Sequence, residues 1–122
     1  MSTLQVFVFI FIYASIVEEL LFRGFLLNLL KPFKENGIII FKRKISTSVI
    51  ISALMFGLAH LILFTTNATP FFVLKIVLFT TMLGLVAGYY QEKYNNNAYA
   101  IIVHMAGNSL TILAVVLMHL NN

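Results

Sequence analysis

Eight residues, Val17-Glu18-Glu19-Leu20-Leu21-Phe22-Arg23-Gly24, constrain this chain more than any others. They place three formal charges in a stretch that carries no other charge from Leu4 to Leu30. Near the centre of a membrane-crossing helix each charge costs about 2.5–3.5 kcal/mol, so three unpaired ones would cost roughly 8–10 kcal/mol. The apolar residues of one helix return about 0.3–0.6 kcal/mol each, which roughly cancels that cost and leaves little margin. The charges must therefore be paired, shielded or wetted, and a chemical role is the simplest reason to keep them.

The rest of the chain identifies its solvent. Of 122 residues, 61% are hydrophobic and 10% charged, with a mean hydropathy of +0.98. A soluble domain carries about 25% charged residues. The expected fold class is therefore all-α, a polytopic membrane helix bundle, with residues 1–122 as a single membrane domain. With no cysteine, disulfides, thiol catalysis and thiolate metal sites are excluded. The net charge of +4 reflects few acids rather than many bases. It speaks for topology and contact with anionic membrane lipid, and against nucleic acid, because no soluble basic face exists to carry it. Met1-Ser2-Thr3 lacks the basic run of a signal peptide, and no small-residue cleavage pattern precedes the charged cluster.

Four transmembrane helices are expected, at about residues 4–30, 45–66, 71–90 and 98–120. Lys31-Pro32 ends the first, since the residue before a proline is pushed out of the helical region. Residues 31–44 read as a loop with an interfacial segment, because Gly37–Phe41 is apolar but too short to span. Asn67-Ala68-Thr69-Pro70 and Gln91–Asn97 read as turns. Gly84 and Gly88 form a small-xxx-small pair, expected to serve packing within the chain. His119, near the end of the fourth helix, reads as interfacial. Loops 31–44 and 91–97 hold six of the eight Lys and Arg residues and are expected on the cytoplasmic side. Both ends of the segment then face outward, which fits a segment that follows an odd number of earlier helices.

That topology sets depths. Glu18 lies 13 residues before Lys31, about 20 Å in. His60 lies 15 residues after Ile45, about 22 Å in. His104 and Asn108 lie six and ten residues after Ala98, about 9 and 15 Å in. Four costly polar groups from three helices thus fall in one band of the membrane. Glu19 and Arg23 are i, i+4 neighbours in the favourable order for a helix ion pair. Glu18 is turned about 100° away and left for another partner.

Glu18-Glu19-x-x-x-Arg23, Phe56-x-x-x-His60 and His104-x-x-x-Asn108 resemble the three ordered motifs of the CPBP family, the CAAX prenyl protease and bacteriocin-processing (Abi) group of intramembrane proteases. The flanking stretches "EELLFRGFLL", "ALMFGLAHL" and "IIVHMAGNSL" carry the resemblance beyond the fixed letters, over roughly Val17 to Leu110. Family members usually carry further helices before the first motif, and this chain holds the motif-bearing core. The resemblance implies an integral protein of a bacterial cell membrane, acting on prenylated CAAX-type proteins or on peptide and membrane-protein substrates.

Absences narrow the chemistry. There is no Asp for an aspartyl dyad, no Gly-x-Ser-x-Gly elbow and no His-Glu-x-x-His zinc helix. The expectation is peptide-bond hydrolysis by an activated water. Glu18 would be the general base and His60 would help hold the water. His104 and Asn108 would donate to the developing oxyanion, and Glu19 with Arg23 would hold the first helix in register. No cofactor is required on this reading. A zinc version would use Glu18, His60 and His104 as three ligands with an open water position. A different class of function, bacteriocin self-immunity or a membrane adaptor, would keep the cluster without catalysis. Four helices would not seal a polar cavity by themselves, so partner helices or a homo-oligomer are expected to complete its walls.

Overall fold

The computed structural model describes residues 2–120, without the side chains of Thr3, Val6, Ile10, Val115 and His119. The position expected of the His119 side chain thus lies outside the described residues.

The first helix, α1, covers residues 3–29 and is not uniform. α-Helical turns at Thr3–Val6, Ser15–Glu19 and Leu27–Leu29 alternate with π-helical stretches at Phe7–Ala14 and Leu20–Leu26. π-Turns are wider than α-turns and collect at functional sites. The second one starts at the residue after Glu19 and contains Arg23. A 3₁₀ turn at Lys31–Phe33 then leads the chain away.

The segment expected to be a loop contains a β-hairpin. Strand β1 (Gly37–Ile40) pairs antiparallel with β2 (Arg43–Ser46), with Ile38 opposite Ile45 and Ile40 opposite Arg43. Three consecutive β-branched isoleucines favour the strand. Phe41 and Lys42, between the strands, have φ of 49° and 65°. Two left-handed residues match the twist of a hairpin, and Asn-Gly is the pair that adopts them cheaply. Phe-Lys does so at a cost of about 1–2 kcal/mol per residue.

Helix α2 begins at Thr47, not Ile45, because Ser46 is its N-cap and accepts a hydrogen bond from the Val49 N–H at 3.2 Å. It is α-helical over Thr47–Ala59 and tightens to 3₁₀ over His60–Thr66. Helix α3 spans Pro70–Tyr94, with Thr69 as N-cap and Asn95 left-handed at its end. Residues 91–94, expected in a turn, stay helical, and Asn95-Asn96 alone make the connection. Helix α4 spans Asn97–Leu120.

Among the described residues, three helices are long and apolar enough to cross a membrane: Thr47–Thr66, Pro70–Tyr94 and Asn97–Met118. Their large apolar side chains, including Leu54, Leu58, Leu78, Met82 and Ile102, point outward. The buried set is instead rich in polar groups: Ser15, Glu19, Arg23, Ser48, Ser52, Thr80 and His104. That inversion suits a lipid surround, where exposed leucine is no penalty and an exposed charge is. The accessible surface of 8386 Å² exceeds the roughly 6,600 Å² of a compact soluble chain of 13.8 kDa.

Helices α2 and α3 pack closely through the Gly84/Gly88 pair, within the chain as expected. A Cβ on Gly88 would meet Val49 Cγ1 at 2.9 Å. One on Gly84 would meet the Ala53 Cα at 3.1 Å and Arg23 Nη2 at 2.6 Å.

Candidate functional site

Helices α1 and α4 meet antiparallel along a ladder of polar side chains. Ser15, Glu19 and Arg23 recur every four residues on α1 and are all buried. Opposite them, Asn97, His104 and Asn108 descend α4. Asn97 Nδ2 donates to the Glu19 carbonyl at 3.3 Å. His104 Nδ1 lies 2.7 Å from Glu19 Oε1. Asn108 Nδ2 donates to Ser15 Oγ at 2.9 Å, and the Ser15 hydroxyl donates in turn to the Phe11 carbonyl at 2.6 Å.

Glu19 is the hub of this ladder. Its Oε1 also accepts from Arg23 Nη1 at 3.0 Å, and both side chains are 0% exposed. The Arg23 guanidinium lies 4.4 Å from the centroid of the Phe56 ring, a cation–π contact from α2. The sequence-level ion pair is therefore present, and a third helix covers it. Ser52 of α2 adds a bond to the Phe22 carbonyl at 2.9 Å beside the second π-stretch.

His104 is held in one tautomer when neutral. An ionised carboxylate only accepts, so the proton on Nδ1 faces Glu19. That turns Nε2 toward Glu18, whose Oε2 lies 3.7 Å away. Glu18 is the more accessible of the two carboxylates, 38% exposed against 0% for Glu19. Adjacent in sequence, they differ: Glu19 is bound inside the bundle and Glu18 opens onto a cavity.

His60 reaches the same place from α2. Its Nδ1 lies 2.9 Å from the Phe56 carbonyl, and a carbonyl only accepts, so the neutral ring carries its proton there and leaves Nε2 with the lone pair. Glu18 and His60 line one cavity of about 230 Å³ with Phe22, Phe56, Ala59 and Leu63. Phe56 packs edge-on against both imidazoles, with centroids 5.1 Å from His60 and 5.4 Å from His104.

Four of the six expected site residues, Glu18, Arg23, His60 and His104, thus gather around Phe56. Glu19 lies one layer behind them, bound to Arg23 and His104. Asn108 is oriented by Ser15 rather than by His104 or Glu18. Sequence reasoning missed Ser15, Ser52 and Asn97. Ser15 had a signal, since Ser15-x-x-x-Glu19-x-x-x-Arg23 is one polar stripe on an otherwise apolar helix.

Among the described residues, no three His, Cys, Asp or Glu side chains converge on a point that could hold a metal ion. Glu19 Oε2, Arg23 Nε and Nη2, and Asn97 Oδ1 are buried without a hydrogen-bond partner. Each such atom costs about 1–3 kcal/mol, so hydration of the seam is favoured.

The family model for type II CAAX prenyl endopeptidase, Rce1-like, matches residues 1–110. No curated protein and no solved structure matches the chain.

Proposed function

Because the chain belongs to the Rce1-like family of type II CAAX prenyl endopeptidases, within the CPBP proteases, we propose that it hydrolyses peptide bonds inside the membrane with a water activated at Glu18. One observation carries this reading: His104 is clamped by Glu19 through Nδ1 and presents Nε2 toward the accessible Glu18.

In the reacting state drawn here, Glu18 is a carboxylate and His104 presents a proton on Nε2 as a donor. A water in the 230 Å³ cavity gives one proton to Glu18 and points its other proton at the Nε2 lone pair of His60. Its oxygen adds to the scissile carbonyl carbon, and the oxyanion accepts from His104 Nε2–H. Asn108, with one Nδ2 proton engaged by Ser15, has the second free for the same oxyanion. As the C–N bond breaks, Glu18 passes its proton to the leaving nitrogen. Arg23 and Glu19 are positioning residues throughout. No step is drawn through a metal.

We place α1 in the membrane as a fourth span, self-neutralised by Glu19 and Arg23, with the hairpin and the Asn95-Asn96 turn on the cytoplasmic side. The substrates would be CAAX-type prenylated proteins or membrane peptides, entering where Glu18 faces outward.

The test is cleavage of prenylated and bacteriocin-precursor peptides by the reconstituted chain. Glu18→Gln removes the base and should lower turnover by about 10²–10⁴-fold. His104→Ala removes an oxyanion donor and should cost about 10²–10³-fold. Unchanged turnover in Glu18→Gln would sink the assignment. One zinc per chain, with activity lost on chelation, would replace the metal-free chemistry.

A further inference from the structure

A second cleft lies away from the polar seam, where the hairpin meets the end of α3. It has two halves of opposite character. One is an apolar groove of about 360 Å³ lined by Ile40, Phe41, Ile45, Leu85, Val86 and Tyr90. The other is a cationic hollow of about 410 Å³ lined by Lys34, Lys42, Arg43, Lys44 and Lys93, with Glu92 as its one acid. Arg43 and Tyr89 belong to both. The Arg43 guanidinium lies 5.7 Å from the Tyr89 ring centroid and the Lys93 ammonium 6.0 Å from it, so two cations flank one aromatic hinge.

The hollow is not balanced by the protein. Glu92 accepts the Ser46 hydroxyl proton at 2.9 Å, at the N-terminus of α2. Among the described residues, none of the five cations makes an ion pair with a carboxylate. Clustered basic side chains at the end of membrane helices attract anionic head groups. The groove beside them runs along α3, a helix that is apolar enough to span, so a soluble acid could satisfy the cations but not the groove. The hairpin tip points the same way, since Phe41 is 94% exposed in a left-handed conformation that phenylalanine adopts at a cost.

We infer that this cleft binds one anionic glycerophospholipid, its phosphate between Arg43 and the lysines and one acyl chain in the groove beside Leu85 and Val86. The inference rests on the membrane setting alone and is independent of the chemistry at Glu18.

Native mass spectrometry of the detergent-purified full chain tests it, with phosphatidylglycerol and phosphatidylcholine of identical acyl chains as probes. The wild type should retain a single phosphatidylglycerol in preference to phosphatidylcholine. The double variant Lys42→Gln/Arg43→Gln should bind phosphatidylglycerol about 30-fold more weakly, from two head-group charges. Val86→Trp, which fills the groove, should weaken long-chain phosphatidylglycerol while keeping the wild-type unfolding midpoint. Equal retention of the two lipids by the wild type would overturn the inference without any variant being made. So would wild-type affinity in either variant, or displacement of the lipid by equimolar inorganic phosphate.

Discussion

Arg23 and Arg43 both lie near an aromatic ring, and their surroundings are opposite. Arg23 is fully buried, bonded to Glu19 and set over Phe56. Arg43 sits on an exposed hairpin near Tyr89 with no carboxylate within ion-pair distance among the described residues. The first arginine is neutralised inside the protein, where an unpaired charge has no other outlet. The second leaves its charge to whatever lies outside. The comparison separates charges that hold helices together from charges that meet the surroundings, and composition alone treats the two alike.

The difference can be broken experimentally, and the expected effects fall in a clear order. Arg23→Met strands a buried Glu19 and should cost about 3–5 kcal/mol of stability, read by denaturant unfolding in mixed micelles. Adding Glu19→Gln to that variant should recover much of the loss, since removing both partners leaves no orphan charge. Gly84→Ala puts a Cβ 2.6 Å from Arg23 Nη2 and 3.1 Å from the Ala53 Cα. It should cost about 1–3 kcal/mol by overpacking, and shifting Arg23 should lower turnover as well. Ser15→Ala releases Asn108 for about 0.6 kcal/mol. A turnover loss larger than the stability loss would show that Ser15 orients Asn108 for chemistry. Arg43→Gln should leave the unfolding midpoint where it is. A midpoint shift as large as that of Arg23→Met would collapse the distinction between the two arginines.

Much of the helical architecture is legible in the sequence because it follows from long apolar runs bounded by Pro32, Asn67, Pro70 and the asparagines near residue 95. The approach of His104 to Glu18 is legible for a related reason, since buried charge in lipid must find partners and few are available, whereas the bond from His104 to Glu19 is not. The hairpin is less visible. Its strand signal, Ile38-Ile39-Ile40, is a strong one, but the Phe41-Lys42 turn carries none of the glycine or asparagine that announces a left-handed pair. The roles of the asparagines were also out of reach. Whether Asn108 turns to His104 or to Ser15 depends on the antiparallel register of α1 and α4, which periodicity does not set. The π-helical stretches of α1 are likewise invisible to a hydropathy reading, because they change hydrogen bonding without changing composition.

The distance along the chain between Glu19 and His104, 85 residues, has a consequence in time. At a synthesis rate of about 5–20 residues per second, α4 leaves the ribosome roughly 4–17 s after Glu19 does. Through that interval Glu19 has one strong partner, Arg23, four residues away and made almost at once. The local pair lets α1 wait as a neutral rod apart from Glu18, whose facing imidazole does not yet exist. The site is therefore completed only after α4 is made, and a nascent chain stalled before His104 carries the accessible Glu18 without the imidazole that faces it.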